Sequence, residues 1–307
     1  MDIVILLVGF SIGLVLLVKG ADEMVSSAVQ IALKFKLPSS IIGATFIGFG
    51  TSAPELFAST GAALKGDLDL GIGNIVGSNI ANSLLVVAVL YLALPKDFSQ
   101  KIKLNQISPV WMAILTTVFV STYVLTNEFP FLLGAVLLIL VIYVIYKMIS
   151  TESVDEGELL GEEKNYIWLR GGLSLLATLY GSQLVVDNAV AIAELFGVSS
   201  LIIGSTIIAI GTSLPEVAGT ISAAKMRKPD IVFGNIFGSN LFNIGLVGAT
   251  AIMISPGEIS SVIDYQLFIM YFVSFIVIFL SRNLIKRNTI LGYLFIVAYV
   301  LFLFSLF

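Results

Sequence analysis

The sequence predicts an all-α membrane protein: ten transmembrane helices arranged as two inverted-topology repeats of five. Three observations predict it. Hydrophobic residues make up 58% of the 307 positions and charged residues only 12%, about half the charged share of a soluble domain; the mean hydropathy is +1.04. Residues 39–83 return at 200–244 with a constant offset of 161, and 21 of the 45 aligned positions are identical. Threaded as ten spans with the N-terminus outside, the chain places 15 of its 16 Lys and Arg residues on one side, as the positive-inside rule asks.

The elements follow in order. Residues 3–18 are apolar and close at Lys19, and 20–36 continue amphipathically with Met24, Ala28, Ile31 and Phe35 at helical spacing. The first helix is therefore expected to run tilted past the bilayer thickness until Pro38 stops it. Met1-Asp2 lacks the basic n-region of a signal peptide, so this span is expected to be retained. Segment two covers 40–64 and segment three 70–94. The loop PKDFSQKIK leads to segment four near 105–125, and TNEFP turns the chain into segment five at 130–149. Residues 150–166 are the longest polar stretch, and their Glu-rich run reads as a solvated loop. Segment six spans 167–196; segments seven (200–224) and eight (231–254) repeat two and three; segments nine and ten are 263–281 and 289–306. Spans of roughly 20 residues match a hydrocarbon core about 30 Å thick.

The chain thus divides into a first repeat, 1–149, a connecting loop, 150–166, and a second repeat, 167–307. Five spans per half is an odd number, so the second half enters the membrane in the opposite sense. Only Lys65 lies on the outer side. The expected location is the cell membrane, with both termini extracellular and the 150–166 loop cytoplasmic.

Composition also removes function classes. There are no cysteines and no histidines, so disulfides, thiol chemistry, imidazole metal sites and histidine bases are excluded. An intramembrane enzyme is poorly supported, and no cofactor is expected. Nothing indicates a nucleic-acid partner or an obligate protein partner; the expected partners are the lipid bilayer and the ions discussed next.

Each repeat carries one carboxylate beside a Gly-Thr-Ser break, Glu55 in GTSAPE and Glu216 in GTSLPE. A charge in hydrocarbon costs about 2.5–3.5 kcal/mol or more, and segments two, three, seven and eight offer no basic partner within their apolar spans. The remaining partner is a bound cation. Pro54 and Pro215 each remove a backbone donor, which makes carbonyls near Gly48–Thr51 and Ala209–Thr212 available. Thr51, Ser52, Thr212 and Ser213 add hydroxyls. Ser78 and Asn82, four residues apart on one helical face, add neutral oxygens, as do Ser239 and Asn243. All are oxygen donors, a set that suits Ca²⁺ or Na⁺ and disfavours zinc, copper or iron. Taken singly, Ser, Thr and Gly in membrane helices most often pack helices together. Two acids at equivalent positions, each with the same break and the same downstream SNxxN, are not explained that way. Asp22, Glu23, Asp187 and Glu194 lack this duplication and read as solvated groups toward helix ends. Gly43-Ala44, Gly73, Gly77 and their counterparts read as sites of close helix approach.

GTSAPE with GNIVGSNIAN, and GTSLPE with GNIFGSNLFN, resemble the two alpha-repeats of the sodium/calcium exchangers, in the calcium:cation antiporter superfamily. The resemblance covers the whole chain. It implies exchange of several Na⁺ for one Ca²⁺ by alternating access, with Glu55 and Glu216 as central calcium ligands beside the carbonyls of Thr51 and Thr212. It implies flanking sodium sites from Gly48, Ser52 and Ser78 on one side and Ala209, Ser213 and Ser239 on the other, with Asn82 and Asn243 completing the centre. Some archaeal members have aspartate where this chain has Asn243. Potassium-dependent relatives use an aspartate in this region, so no K⁺ requirement is expected. A proton/calcium antiporter is the nearest alternative reading; a cation channel is the alternative from another class. The charge count gives a mechanism independently. Two carboxylates make a −2 site that one Ca²⁺ or two Na⁺ neutralise. An empty −2 site crosses a low-dielectric gate at high cost, so reorientation requires bound cations and exchange is obligatory.

Overall fold

Backbone N–H and C=O groups in hydrocarbon have no water to pair with, so a spanning segment must satisfy them within its own helix. The computed structural model, which describes residues 3–101, 107–151, 166–197, 209–282 and 284–306, is accordingly helical. Its elements are α1 (Ile3–Phe35), α2 (Ser39–Thr51), α3 (Ala53–Leu64), α4 (Leu68–Ala93), α5 (Ile107–Thr126), α6 (Phe131–Thr151), α7 (Ile167–Leu195), α8 (Ala209–Gly211), α9 (Leu214–Lys225), α10 (Pro229–Ile254), α11 (Asp264–Ser281) and α12 (Thr289–Phe304). Among the described residues seven helices are long and apolar enough to cross a membrane, or eight if the bent pair α2 and α3 is one span. α12 is apolar but shorter. Residues 152–165, most of the predicted connecting loop, and 200–208, the start of predicted segment seven, lie outside the described residues.

α1 is one helix of 33 residues, about 50 Å at 1.5 Å per residue, so the expected length of the first helix is borne out. That length corrects the placement of Asp22 and Glu23: both fall well inside α1, not toward its end. Glu23 Oε1 lies 2.6 Å from Arg170 Nη2 at the start of α7, so it is paired and not merely solvated.

The apolar windows of α4 and α10 are 78% and 83% buried, against 22% and 17% in α1 and α7. The repeated motif helices therefore form the core, and α1 and α7 pack against each other at its edge. α2 crosses α10 with almost no side chain between them. A Cβ on Gly234 or Gly238 would meet the backbone of Ser40 or Ala44. Gly234 and Gly238 are the counterparts of Gly73 and Gly77 and were expected to allow close approach; a Cβ on Gly73 or Gly77 themselves meets no described atom within 4 Å. Phe233, Phe237, Ile72, Ile75 and Ile80 fill the surrounding space and are fully buried.

Two short antiparallel strand pairs, not expected from the sequence, tie loops of the two halves together. β1 (Ser99–Lys101) pairs with β4 (Leu284–Lys286), and β2 (Glu128–Phe129) pairs with β3 (Gly257–Glu258). Arg227 Nη2 reaches Asp97 Oδ2 at 2.6 Å and holds that exposed carboxyl below its ordinary range. On another loop Ser260 N donates to Asp69 Oδ1 at 2.7 Å.

Candidate cation site

The site is built from two breaks and two widened turns. At the first break α2 and α3 meet at an angle of 45°. Pro54 sits in the first turn of α3, where its missing donor is tolerated; Pro215 does the same in α9. Backbone pairing resumes beyond each break, where Leu56 N donates to Ser52 O at 3.2 Å and Val217 N to Ser213 O at 3.0 Å. One π-helical segment, Gly43–Ile47, lies in α2 itself; the two widened turns of the partner helices run from Asn82 to Val86 in α4 and from Asn243 to Gly248 in α10. Each begins on the predicted ligand asparagine. π turns cluster at functional sites because the extra residue disrupts the regular i→i−4 ladder.

These elements bring most of the predicted residues together. Glu55 and Glu216 are 3% and 2% exposed, and Thr51, Ser52, Ser78, Asn82, Ser213, Ser239 and Asn243 are buried with them. Ser78 Oγ donates to Glu55 Oε1 at 3.3 Å. Glu216 has the Thr51 side chain and the charge of Glu55 as its neighbours, so the two carboxylates share one region. Ser239 Oγ donates to the Gly48 carbonyl at 3.3 Å, which joins Gly48 to the opposite repeat's serine. Thr212 is half-buried and lines a cavity described below. The backbone of Ala209 lies in α8; its side chain is outside the described residues.

The hydrogen-bond count is what gives this cluster its chemistry. Glu55 Oε2, Glu216 Oε2, Ser52 Oγ and Asn243 Oδ1 are all buried without a partner. Leaving a buried acceptor unpaired costs about 1–3 kcal/mol, more for a charged group. Among the described residues no three His, Cys, Asp or Glu converge anywhere, so the cluster contains two carboxylates and neutral oxygens. Carboxylate, hydroxyl and amide oxygens are the ligand types that a hard cation takes.

A cavity of about 400 Å³ reaches the two breaks, lined by Pro54, Thr212 and Pro215 and by Gln183, Asp187 and Glu194 of α7. Asp187 accepts from Gln183 Nε2 at 2.6 Å, and Ser182 Oγ donates to the Gly211 carbonyl at 3.1 Å. Sequence reasoning set Asp187 and Glu194 apart as solvated groups; they are exposed, and they line the way to the breaks.

Four residues that support the site were missed, three of them in the motif. Asn74 Nδ2 donates to Ser59 Oγ at 2.9 Å and to the Glu55 carbonyl at 3.4 Å, pinning the Glu55 turn to α4. Asn79 and Asn240 join the two repeats: Asn82 Nδ2 donates to Asn240 Oδ1 at 3.1 Å, and Asn243 Nδ2 donates to Asn79 Oδ1 at 3.0 Å. All but Ser59 lie in the duplicated GNxxGSNxxN string, and that duplication was the available signal.

Comparisons with known proteins agree. The family described as sodium/calcium exchanger protein matches residues 5–151 and 166–307. The sodium/calcium exchanger MaX1 of Methanosarcina acetivorans is 32% identical over 278 residues, covering 77% of this chain and 79% of that protein. The inner membrane protein YrbG of Escherichia coli is 31% identical over 290 residues, covering 89% and 88%. The solved structure of the sodium-calcium exchanger NCX_Mj superposes with a TM-score of 0.84 at 28% identity over 100% of both chains. A duplicated acid, a duplicated break and a full-length match in sequence and shape lead to one assignment: this chain is a multi-pass membrane protein of the sodium/calcium exchanger family.

Proposed function

We propose that this chain exchanges Na⁺ for Ca²⁺ across the cell membrane by alternating access, through ten spans in two inverted repeats. The observation that carries the reading is the set of buried, unpartnered oxygens on Glu55, Glu216, Ser52 and Asn243. They are assembled from both repeats, around two acids with no basic group in contact among the described residues. Ca²⁺ takes the centre between Glu55 and Glu216, with the Thr51 and Thr212 carbonyls and the side-chain oxygens of Asn82 and Asn243. Na⁺ uses the flanking oxygens of Gly48, Ser52, Ser78, Ala209, Ser213 and Ser239. The bond from Ser239 to Gly48 favours flanking sites that each draw on both repeats.

Loop pairing supports the ten-span topology. With the N-terminus outside, the loops after spans three, seven and nine are cytoplasmic, and those after spans two, four and eight are extracellular. β1 with β4 and Asp97 with Arg227 join loops of the first group only. β2 with β3 joins loops of the second group, and Ser260 of that group reaches Asp69 in the first turn of α4, beside the loop after span two. On this topology the cavity along the C-terminal half of α7 opens to the outside, and ions enter from there.

The two carboxylates make the site −2, and its occupation decides whether it crosses. One Ca²⁺ or two Na⁺ cancel the charge. An ion shifts the inward/outward equilibrium by its differential affinity for the two states, so exchange, not uniport, results. Reconstituted protein should take up ⁴⁵Ca²⁺ against an outward Na⁺ gradient. Uptake driven by a proton gradient and indifferent to Na⁺ would instead identify a proton/calcium antiporter; fast flux without counter-transport would identify a channel.

A further inference from the structure

The constant spacing of the repeat brings four buried asparagines, two from each half, into hydrogen-bonding contact. Asn79 and Asn240 are equivalent by the 161-residue offset, as are Asn82 and Asn243. All four are buried. Asn243 Nδ2 donates to Asn79 Oδ1 at 3.0 Å, and Asn82 Nδ2 donates to Asn240 Oδ1 at 3.1 Å. The two bonds are images of each other under the repeat, and both cross between repeats. The amide orientations of the inner pair are fixed by their remaining bonds. Asn240 Nδ2 donates to Ser83 Oγ at 3.2 Å. Asn79 Nδ2 donates to the Asn240 carbonyl at 3.4 Å and to Met270 Sδ at 3.6 Å. With their nitrogens engaged, Asn79 and Asn240 have oxygens to offer.

We propose that Asn79 and Asn240 are positioning residues that hold the carboxamides of Asn243 and Asn82 by their nitrogens and so present the amide oxygens to the cation, each repeat orienting the other repeat's ligand. This rests on the cation-site reading above. A carboxamide free to rotate offers N–H to a cation for part of the time, and N–H repels it. Held by its nitrogen, Asn243 leaves Oδ1 as the free end, and that oxygen is buried and unpartnered. The π turns that start at Asn82 and Asn243 set the backbone of the ligands; the crossed bonds set their side chains. The same bonds make ligand geometry in each half depend on contact with the other half. A change in how the repeats meet would therefore alter both asparagine ligands together.

The test is Ca²⁺ binding to purified protein in Na⁺-free buffer, by calorimetry, on Asn79→Leu, a change of similar size without an acceptor. Loss of an outer partner of a metal ligand typically weakens affinity about 10- to 100-fold, and the dissociation constant should rise by that factor. The rise should vanish in an Asn243→Ala background and persist in an Asn82→Ala background, although Asn82 is on the same helix as Asn79. A packing role would lower the yield of folded protein and would not single out the asparagine of the other repeat. Asn240→Leu should show the mirror pattern, coupling to Asn82. If a leucine variant does not fold, Asn79→Ala and Asn240→Ala, which add no bulk, replace it. An unchanged dissociation constant in folded Asn79 and Asn240 variants would overturn the proposal, and so would equal losses in both backgrounds. Wild-type protein that binds no Ca²⁺ would overturn the cation site together with it; wild-type binding with unaffected Asn79 and Asn240 variants would overturn the positioning role alone.

Discussion

At the scale of single residues the two glutamates decide the outcome. Glu55 and Glu216 are buried, lie near one another, and each keeps one oxygen without a partner. Glu55→Gln and Glu216→Gln should each abolish nearly all Na⁺-driven Ca²⁺ uptake while the protein stays folded. Removing an uncompensated buried charge relieves the ion-free state, so the melting temperature in ion-free buffer should hold or rise. Uptake at wild-type rate with unchanged calcium affinity in either variant would remove that residue from the site. Acidity works on the same oxygens: a proton on either carboxylate takes the site from −2 to −1. Ca²⁺ uptake should therefore fall as pH falls, with half-saturation moving to higher Ca²⁺, as initial rates across a pH series would reveal. Asn243→Asp adds a third acid and should steepen the pH dependence and weaken Na⁺ selectivity more than it disturbs folding. The acids and their neighbouring hydroxyls were legible because the chain writes them twice. Asn79 and Asn240 stood in the same duplicated string but carried no mark of their role. Their bonds join residues more than 150 positions apart, and no local periodicity encodes such a pairing.

At the scale of elements, the breaks were legible and the widened turns were not. Proline removes a donor wherever it stands, so Pro54 and Pro215 signal a discontinuity from sequence alone, and α2 and α3 do meet at 45°. A π turn depends on packing around it, and Asn82–Val86 and Asn243–Gly248 have no composition that separates them from α-helix. The short strand pairs were missed for a related reason: each strand is two or three residues long and exists only because its partner loop is near. Asp22 and Glu23 read as lying toward a helix end because the apolar stretch 3–18 closes at Lys19, yet the amphipathic continuation carries the same helix on to Phe35. The crossing of α2 and α10 gives a sharp prediction. Gly238 lies against the backbone of Ala44, which has no rotamer to yield. Gly238→Val should lower stability by about 1–3 kcal/mol or more, as overpacking does. It should appear as a lower melting temperature of the detergent-solubilised protein, whereas a valine at an exposed position such as Ser121→Val on α5 should change it little.

At the scale of the whole molecule the account requires two halves of opposite sense. The charge asymmetry is what proposes it, since 15 of 16 basic residues fall on one side when the chain is threaded as ten spans. The loop contacts agree with it in every pair described above. A single cysteine placed at Gly157 should react with a membrane-impermeant reagent only after the cells are opened, and cysteines at Met1 and Phe307 should react in intact cells. Labelling at 157 in intact cells, with protected termini, would reverse the assignment.

The most direct test of the central claim is initial ⁴⁵Ca²⁺ uptake into proteoliposomes loaded with Na⁺ and diluted into K⁺-free, Na⁺-free medium at constant pH on both sides. A site of charge −2 needs only Na⁺ and Ca²⁺ to run. The account predicts rapid uptake that collapses when internal Na⁺ is replaced by choline and that gains nothing from added K⁺. Uptake that requires K⁺, or that proceeds equally well with choline inside and follows an imposed proton gradient, would contradict it.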